Sequence, residues 1–142
     1  CFAGGLFAGI GSLFFLAFNG AFFGAIGGYL TERGLSENFY SFVVTHGAFE
    51  LTAIVLAGAA GLRIGHALIA PGRRTRREAL VVAARESIVI VYGVAGLLVI
   101  AAAVEAFWSS ARWIPLPIKY SVAAGCWIAV LGYLWRQGRH AS

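Results

Sequence analysis

THGAFELTAIVLAGAAGLRIGH, residues 45–66, is apolar over a length that suits a membrane-spanning helix, yet it carries His46, Glu50, Arg63 and His66. A spanning helix needs about 20 mainly apolar residues. An ionised side chain near the bilayer centre costs on the order of 3 kcal/mol on insertion scales, and less towards the interface. Each of these side chains therefore needs either a partner or a use.

The rest of the chain agrees with a membrane location. Of 142 residues, 60% are hydrophobic and 12% charged, and mean hydropathy is +0.82. A soluble domain of this size with so few polar side chains could not cover its core. The formal net charge of +5 does not point to nucleic acid, because the basic residues cluster in one segment without interleaved aromatics or a base-reading motif. Cys1 and Cys126 lie in apolar surroundings without metal or redox spacing, so they read as small hydrophobes. The start at Cys1 rather than Met leads us to expect a further N-terminal region before it.

Four segments are long and apolar enough to span: about 1–30, 43–70, 87–107 and 114–135. The expected fold is all-α, a polytopic membrane helix bundle of four transmembrane helices forming a single domain. The segment PGRRTRREALVVAARE, residues 71–86, sets Arg73, Arg74, Arg76, Arg77 and Arg85 against Glu78 and Glu86. By the positive-inside rule it faces the cytoplasm. Both termini are then inside, which the basic tail RQGRH and the weakly charged outer connections TERGLSEN and SSARWIPLPIK support. The expected setting is a membrane that borders the cytoplasm. FYSFVV, residues 39–44, suits the headgroup level, and the tryptophans near the ends of the fourth segment suit interfacial anchors. Pro115 and Pro117 fall at that helix's start, where a missing N–H costs little.

The first segment exceeds what a bilayer requires, so it should tilt, project or break, with Asn19-Gly20 as the expected break point. Gly5/Gly9 and Gly20/Gly24/Gly28 recur at every fourth position and leave a groove for close approach of another helix, in this chain or another; Gly61/Gly65 give the second segment a similar face.

His46 and Glu50, four apart, share a helical face. If the second and third segments fold as an antiparallel hairpin about the Arg-rich loop, one register brings His46 level with Glu105 and, at the same time, Arg63 level with Glu86. Arg63 and Glu86 then form a structural ion pair, and His66 is an interfacial residue. His46, Glu50 and Glu105 form an outer polar group, to which Asn19 adds an amide. No cation stands at matching depth, so a protonated Glu, a charged His46, or a bound metal or other cation must offset the charge. HxxxE is a weak metal signal beside HExxH or ExxH, and the metal question stays open; no cofactor is assigned.

HGAFELTAIVLAGAAGLRIG, residues 46–65, resembles the signature of the stage II sporulation protein M (SpoIIM, DUF95) family, with its His-Gly pair, following Glu and Gly-Ala-Ala-Gly-Leu-Arg run. LAFNGAFFGA, residues 16–25, is similar to the family's Asn-Gly segment, and AAAVEAFWS, residues 101–109, to its later Glu-containing stretch. The residues carried over are Asn19, Gly20, His46, Gly47, Glu50, Gly61, Arg63 and Glu105. The resemblance implies a membrane scaffold that gathers cell-envelope partners, peptidoglycan-degrading in the namesake; sporulation itself is not implied, since related proteins occur in organisms that make no spores.

Two functions follow. The first is a scaffold or assembly component, self-associating, with the bilayer and envelope proteins as partners and no nucleic acid. The alternative is a permease or channel subunit handling a proton, cation or small polar solute at His46, Glu50 and Glu105. An enzyme is not expected: the sequence offers no HExxH, no recognisable Ser/His pair and no Asp.

Overall fold

The computed structural model describes residues 1–111 and 113–140, and among these it contains helices and turns but no strand. Four helices follow in order: α1 (Ile10–Glu32), α2 (Ser36–Ile69), α3 (Arg76–Val104) and α4 (Leu116–His140), with a short 3-10 turn at Ala3–Leu6 and a π turn at Glu105–Ser109. Each of the four is long and apolar enough to cross a membrane.

Two helices start earlier than hydropathy places them, for local reasons. α2 opens at Ser36 rather than near residue 43 because the turn before it is fixed by its own hydrogen bonds. Gly34 takes φ +71, its N–H donates to Thr31 O at 3.0 Å and the N–H of Leu35 donates to Leu30 O at 2.9 Å. That is the paired pattern that ends a helix on a left-handed glycine, and it frees the chain to start again at once. α3 opens at Arg76 rather than near residue 87, because Thr75 and Glu78 form a capping box. The backbone N–H and hydroxyl of Thr75 both donate to Glu78 Oε2 at 2.9 Å, and Glu78 N–H donates to Thr75 Oγ1 at 3.3 Å. Most of the Arg-rich segment is consequently helix, and the connection between α2 and α3 is short, turning at Gly72 with φ +64.

The expected break at Asn19-Gly20 does not occur. α1 is continuous there, since the Asn19 amide donates back to Phe15 O at 2.7 Å and stays within its own helix. The chain breaks ahead of α1 instead, at Ala8 (φ 54) and Gly9 (φ 83).

Two compact units are distinguished: Cys1–Ile26 with Ala53–Gly96, and Gly27–Thr52 with the described residues from Leu97 on. In the first unit the N-terminal turn lies directly on α2. Gly5 meets the backbone of Gly61, Ala8 and Gly9 meet Gly65, and Leu16 of α1 packs over Gly58, where a Cβ would sit 2.6 Å from its Cδ1. The Ser12 hydroxyl donates to Cys1 O at 2.8 Å, tying the turn to α1. Ala53, Ala60, Ile64, Ala79 and Ala83 are buried beside these contacts; small residues let backbones approach where no hydrophobic effect drives helices together.

The second unit has a more polar interior. Ser41, Thr45, His46, Thr52, Ser109 and Lys119 are buried there with Ala48, Ala101, Ile114, Ala123 and Val130. The Trp127 indole N–H donates to Val44 O at 3.0 Å, joining α4 to α2.

Candidate functional site

His46 lies on α2 one turn before Glu50 and is only 5% exposed. Its ring meets Phe42 edge-on, with centroids 5.3 Å apart. Nδ1 is 3.1 Å from Ser109 Oγ, and Nε2 is 3.9 Å from Glu50 Oε2. The first distance is a hydrogen bond and the second is not. Ser109 closes the π turn, and its carbonyl accepts a 2.9 Å hydrogen bond from Lys119 Nζ on α4. A polar chain thus runs from the half-exposed Glu50 through His46 and Ser109 to Lys119, itself 6% exposed.

The outer polar group therefore differs in membership from the sequence expectation. His46 and Glu50 are neighbours, but Glu105 is exposed and makes no hydrogen bond or ion pair with His46. The residue that reaches the imidazole is Ser109, at the far end of the π turn that Glu105 opens. α3 is continuous from Arg76 to Val104 and the wider turn begins only at Glu105; a register that matches depth does not fix the direction a side chain takes from its helix. Asn19 belongs to the first unit, and its amide is engaged by Phe15 O. Among the described residues no group of three or more His, Cys, Asp or Glu side chains is placed to hold a metal ion.

Two residues of this chain were missed. Lys119, within the fourth expected span but not counted in the outer polar group, supplies a cation there from the first turn of α4, just after Pro115 and Pro117. Its signal was a lone basic residue within otherwise apolar IPLPIKYSV. Ser109 also makes a Ser–His contact that no spacing in the sequence revealed.

Lys119, Ser109, Ser110, Ile114 and Leu116 line a cavity of about 700 Å³ together with Glu37, Asn38, Ser41 and Phe42 from the start of α2. In the first unit, the Arg63 guanidinium donates to the Glu86 carboxylate. Both side chains are half-exposed and border a smaller cleft, of about 180 Å³, with His66 and Arg74.

The glycines divide in the same way. Gly61 and Gly65 are contact points for the N-terminal turn, whereas a Cβ at Gly20, Gly24 or Gly28 would meet nothing of the described residues within 4 Å. That stripe has no partner helix within the described chain.

Comparison with known proteins adds one match. The sequence model described as Stage II sporulation protein M, SpoIIM, matches residues 1–110. No curated protein and no solved structure matches. The matched stretch takes in α1, α2, α3 and the π turn, and ends short of α4 and Lys119. With most of its length matched and four helices able to cross a bilayer, the chain belongs to the stage II sporulation protein M family and is a multi-pass membrane protein of it.

Proposed function

We propose that this protein is a non-catalytic assembly component of the bacterial inner membrane, self-associating and docking envelope proteins, with both termini and the Arg-rich segment on the cytoplasmic side. The observation that carries the proposal is the unequal use of small residues. Glycines at Gly5/Gly61 and Gly9/Gly65 are filled by contacts within the chain, while Gly20, Gly24 and Gly28 stay open on α1. Only 11% of the apolar stretch of α1 is buried, against 39% for α2. Phe14, Phe18 and Phe22 stack in sequence along the same helix, adding a stiff aromatic ridge. In lipid, close backbone approach across small residues is a principal means by which helices associate.

The test is self-association of the full chain in bilayers, read by single-molecule photobleaching or by energy transfer between labelled copies. Gly24→Leu should abolish it while leaving helix content unchanged. A monomer at every protein-to-lipid ratio, or association indifferent to Gly24→Leu, would count against the proposal.

The chain Glu50–His46–Ser109–Lys119 favours a second function, the handling of a proton or small polar solute, since polar groups kept inside a membrane protein mark such pathways. Reconstituted vesicles distinguish the two: a pH- or solute-dependent flux lost in Glu50→Gln favours transport, and its absence favours assembly.

A further inference from the structure

We propose that the cavity beside Lys119 binds a phosphate group that carries an ammonium, the chemistry of phosphoethanolamine. The proposal goes beyond the assembly role and rests on residues of α2, the π turn and α4.

Lys119 is the starting point. It is more than nine-tenths buried and lines the cavity, yet among the described residues its ammonium, with three N–H donors, makes one hydrogen bond, to the neutral carbonyl of Ser109. No carboxylate among the described residues lies within ion-pair distance of it. A buried charge held by a single neutral acceptor is under-compensated. An anion entering the cavity meets the two remaining N–H groups.

The opposite wall favours the same sign of charge. Glu37 and Asn38 stand in the first turn of α2, ahead of the hydrogen bond from Phe39 N–H to Leu35 O at 3.0 Å. Their amides have no acceptor within the helix, and a helix N-terminus attracts negative charge. Of the three lining serines, two are already committed as donors and the third, Ser109, is engaged by His46. Ser41 donates to Asn38 O at 3.2 Å, and Ser110 to Ala106 O at 2.5 Å. The cavity thus offers positive charge and free amides rather than free hydroxyls, which favours a full anion over a neutral polyol.

Glu37 makes the site selective among anions. Glu37 borders the same cavity, and its negative charge disfavours a ligand that is only negative but suits one that also carries an ammonium. Phe42, Ile114 and Leu116 add an apolar wall suited to the glycerol end of a lipid. The cavity, about 700 Å³, falls in the size range of small-ligand sites. Two sources share this chemistry: the headgroup of phosphatidylethanolamine and free phosphoethanolamine.

The test uses the full chain, delipidated in detergent, with lipid retention read by native mass spectrometry. One phosphatidylethanolamine should be held per chain, about tenfold more tightly than phosphatidylglycerol, which lacks the ammonium. Lys119→Gln should weaken retention about tenfold, and Lys119→Arg should largely restore it. Glu37→Gln, at an exposed position where folding is not at stake, should abolish the preference for phosphatidylethanolamine over phosphatidylglycerol. Displacement of the lipid by soluble phosphoethanolamine identifies the free compound as the source, and failure of displacement identifies the headgroup. Equal retention of both lipids, retention unchanged in Lys119→Gln, or a preference that survives Glu37→Gln would overturn the proposal. If Lys119→Gln does not fold, the Glu37→Gln comparison decides.

Discussion

Gly65→Ala and Gly24→Ala make the same chemical change in two helices of this protein and should act with opposite sign. At Gly65 the added Cβ would stand 2.6 Å from both the Ala8 carbonyl carbon and the Gly9 Cα, where carbon atoms need about 3.5–4.0 Å. The colliding atoms are backbone, and Gly9 is held at φ 83, so no flexible side chain can swing aside. The N-terminal turn must retreat by about 1 Å, loosening its contact with α2. Overpacking of this kind costs about 1–3 kcal/mol, or roughly a 5- to 150-fold change in the folding equilibrium. At Gly24 nothing among the described residues stands within 4 Å of an added Cβ, and replacing glycine by alanine in an open helix position removes a propensity penalty of up to about 1 kcal/mol. Gly24→Ala should therefore be neutral or stabilising in the monomer. Unfolding in mixed detergent, followed by far-UV circular dichroism and tryptophan fluorescence, measures both. Maleimide labelling of Cys1, whose residue is anchored at that turn through Ser12, should also speed up in Gly65→Ala. A Gly65→Ala protein within about 0.5 kcal/mol of wild type, with unchanged Cys1 reactivity, would refute the placement of the N-terminal turn on α2.

Two further outcomes test the polar contacts. Glu86→Gln and Arg63→Leu should each lower stability or insertion by about 1–3 kcal/mol, and the double variant should lose less than their sum, because each single change strands a charge that the pair had neutralised; a strictly additive cycle in the same unfolding assay would show that the contact carries nothing. Ser109→Ala should cost about 1–3 kcal/mol by leaving a buried imidazole nitrogen of His46 without its partner, while the carbonyl that Lys119 grips stays in place, so wild-type melting of this variant would exclude the Ser109–His46 hydrogen bond.

Features governed by composition or by contact between near neighbours in the hairpin were legible in the sequence. The four spans follow from apolar length alone. Arg63 and Glu86 lie close to the turn between α2 and α3, where an error of register has little chain over which to accumulate. Helix starts were less legible, because Gly34 with Leu35 and Thr75 with Glu78 act through backbone and side-chain hydrogen bonds to which hydropathy is blind. The far end of the hairpin departs from the expected register for a geometric reason: equal depth does not fix which way a side chain faces. Glu105 follows an unbroken α3 and is exposed, whereas Ser109, at the end of the π turn, meets the imidazole. Lys119 stands at the expected start of the fourth helix, where a lone basic residue suits the interface, and only the folded chain shows it covered and bonded to the π turn.

The charges of this protein meet two different fates, and the difference bears on where a ligand can act. Arg63 and Glu86 are in direct contact, so each satisfies the other and little of either field remains for a third group. Glu50 and Lys119 are also opposite in sign, but the imidazole of His46 and the serine at 109 stand between them. Coulomb attraction weakens with separation, so these intermediaries provide hydrogen bonds without cancelling the charges at the two ends. One end, Glu50, is half-exposed, whereas the other is buried beside a cavity. An anion gains most at the buried end, where water screens Lys119 least and the first turn of α2 adds its own positive pole. A ligand bound there pulls on Lys119, which holds the Ser109 carbonyl, while the Ser109 hydroxyl holds His46. Occupancy of the cavity is thereby linked to the position of the imidazole through two hydrogen bonds, and Ser109 is the residue at which that link can be cut.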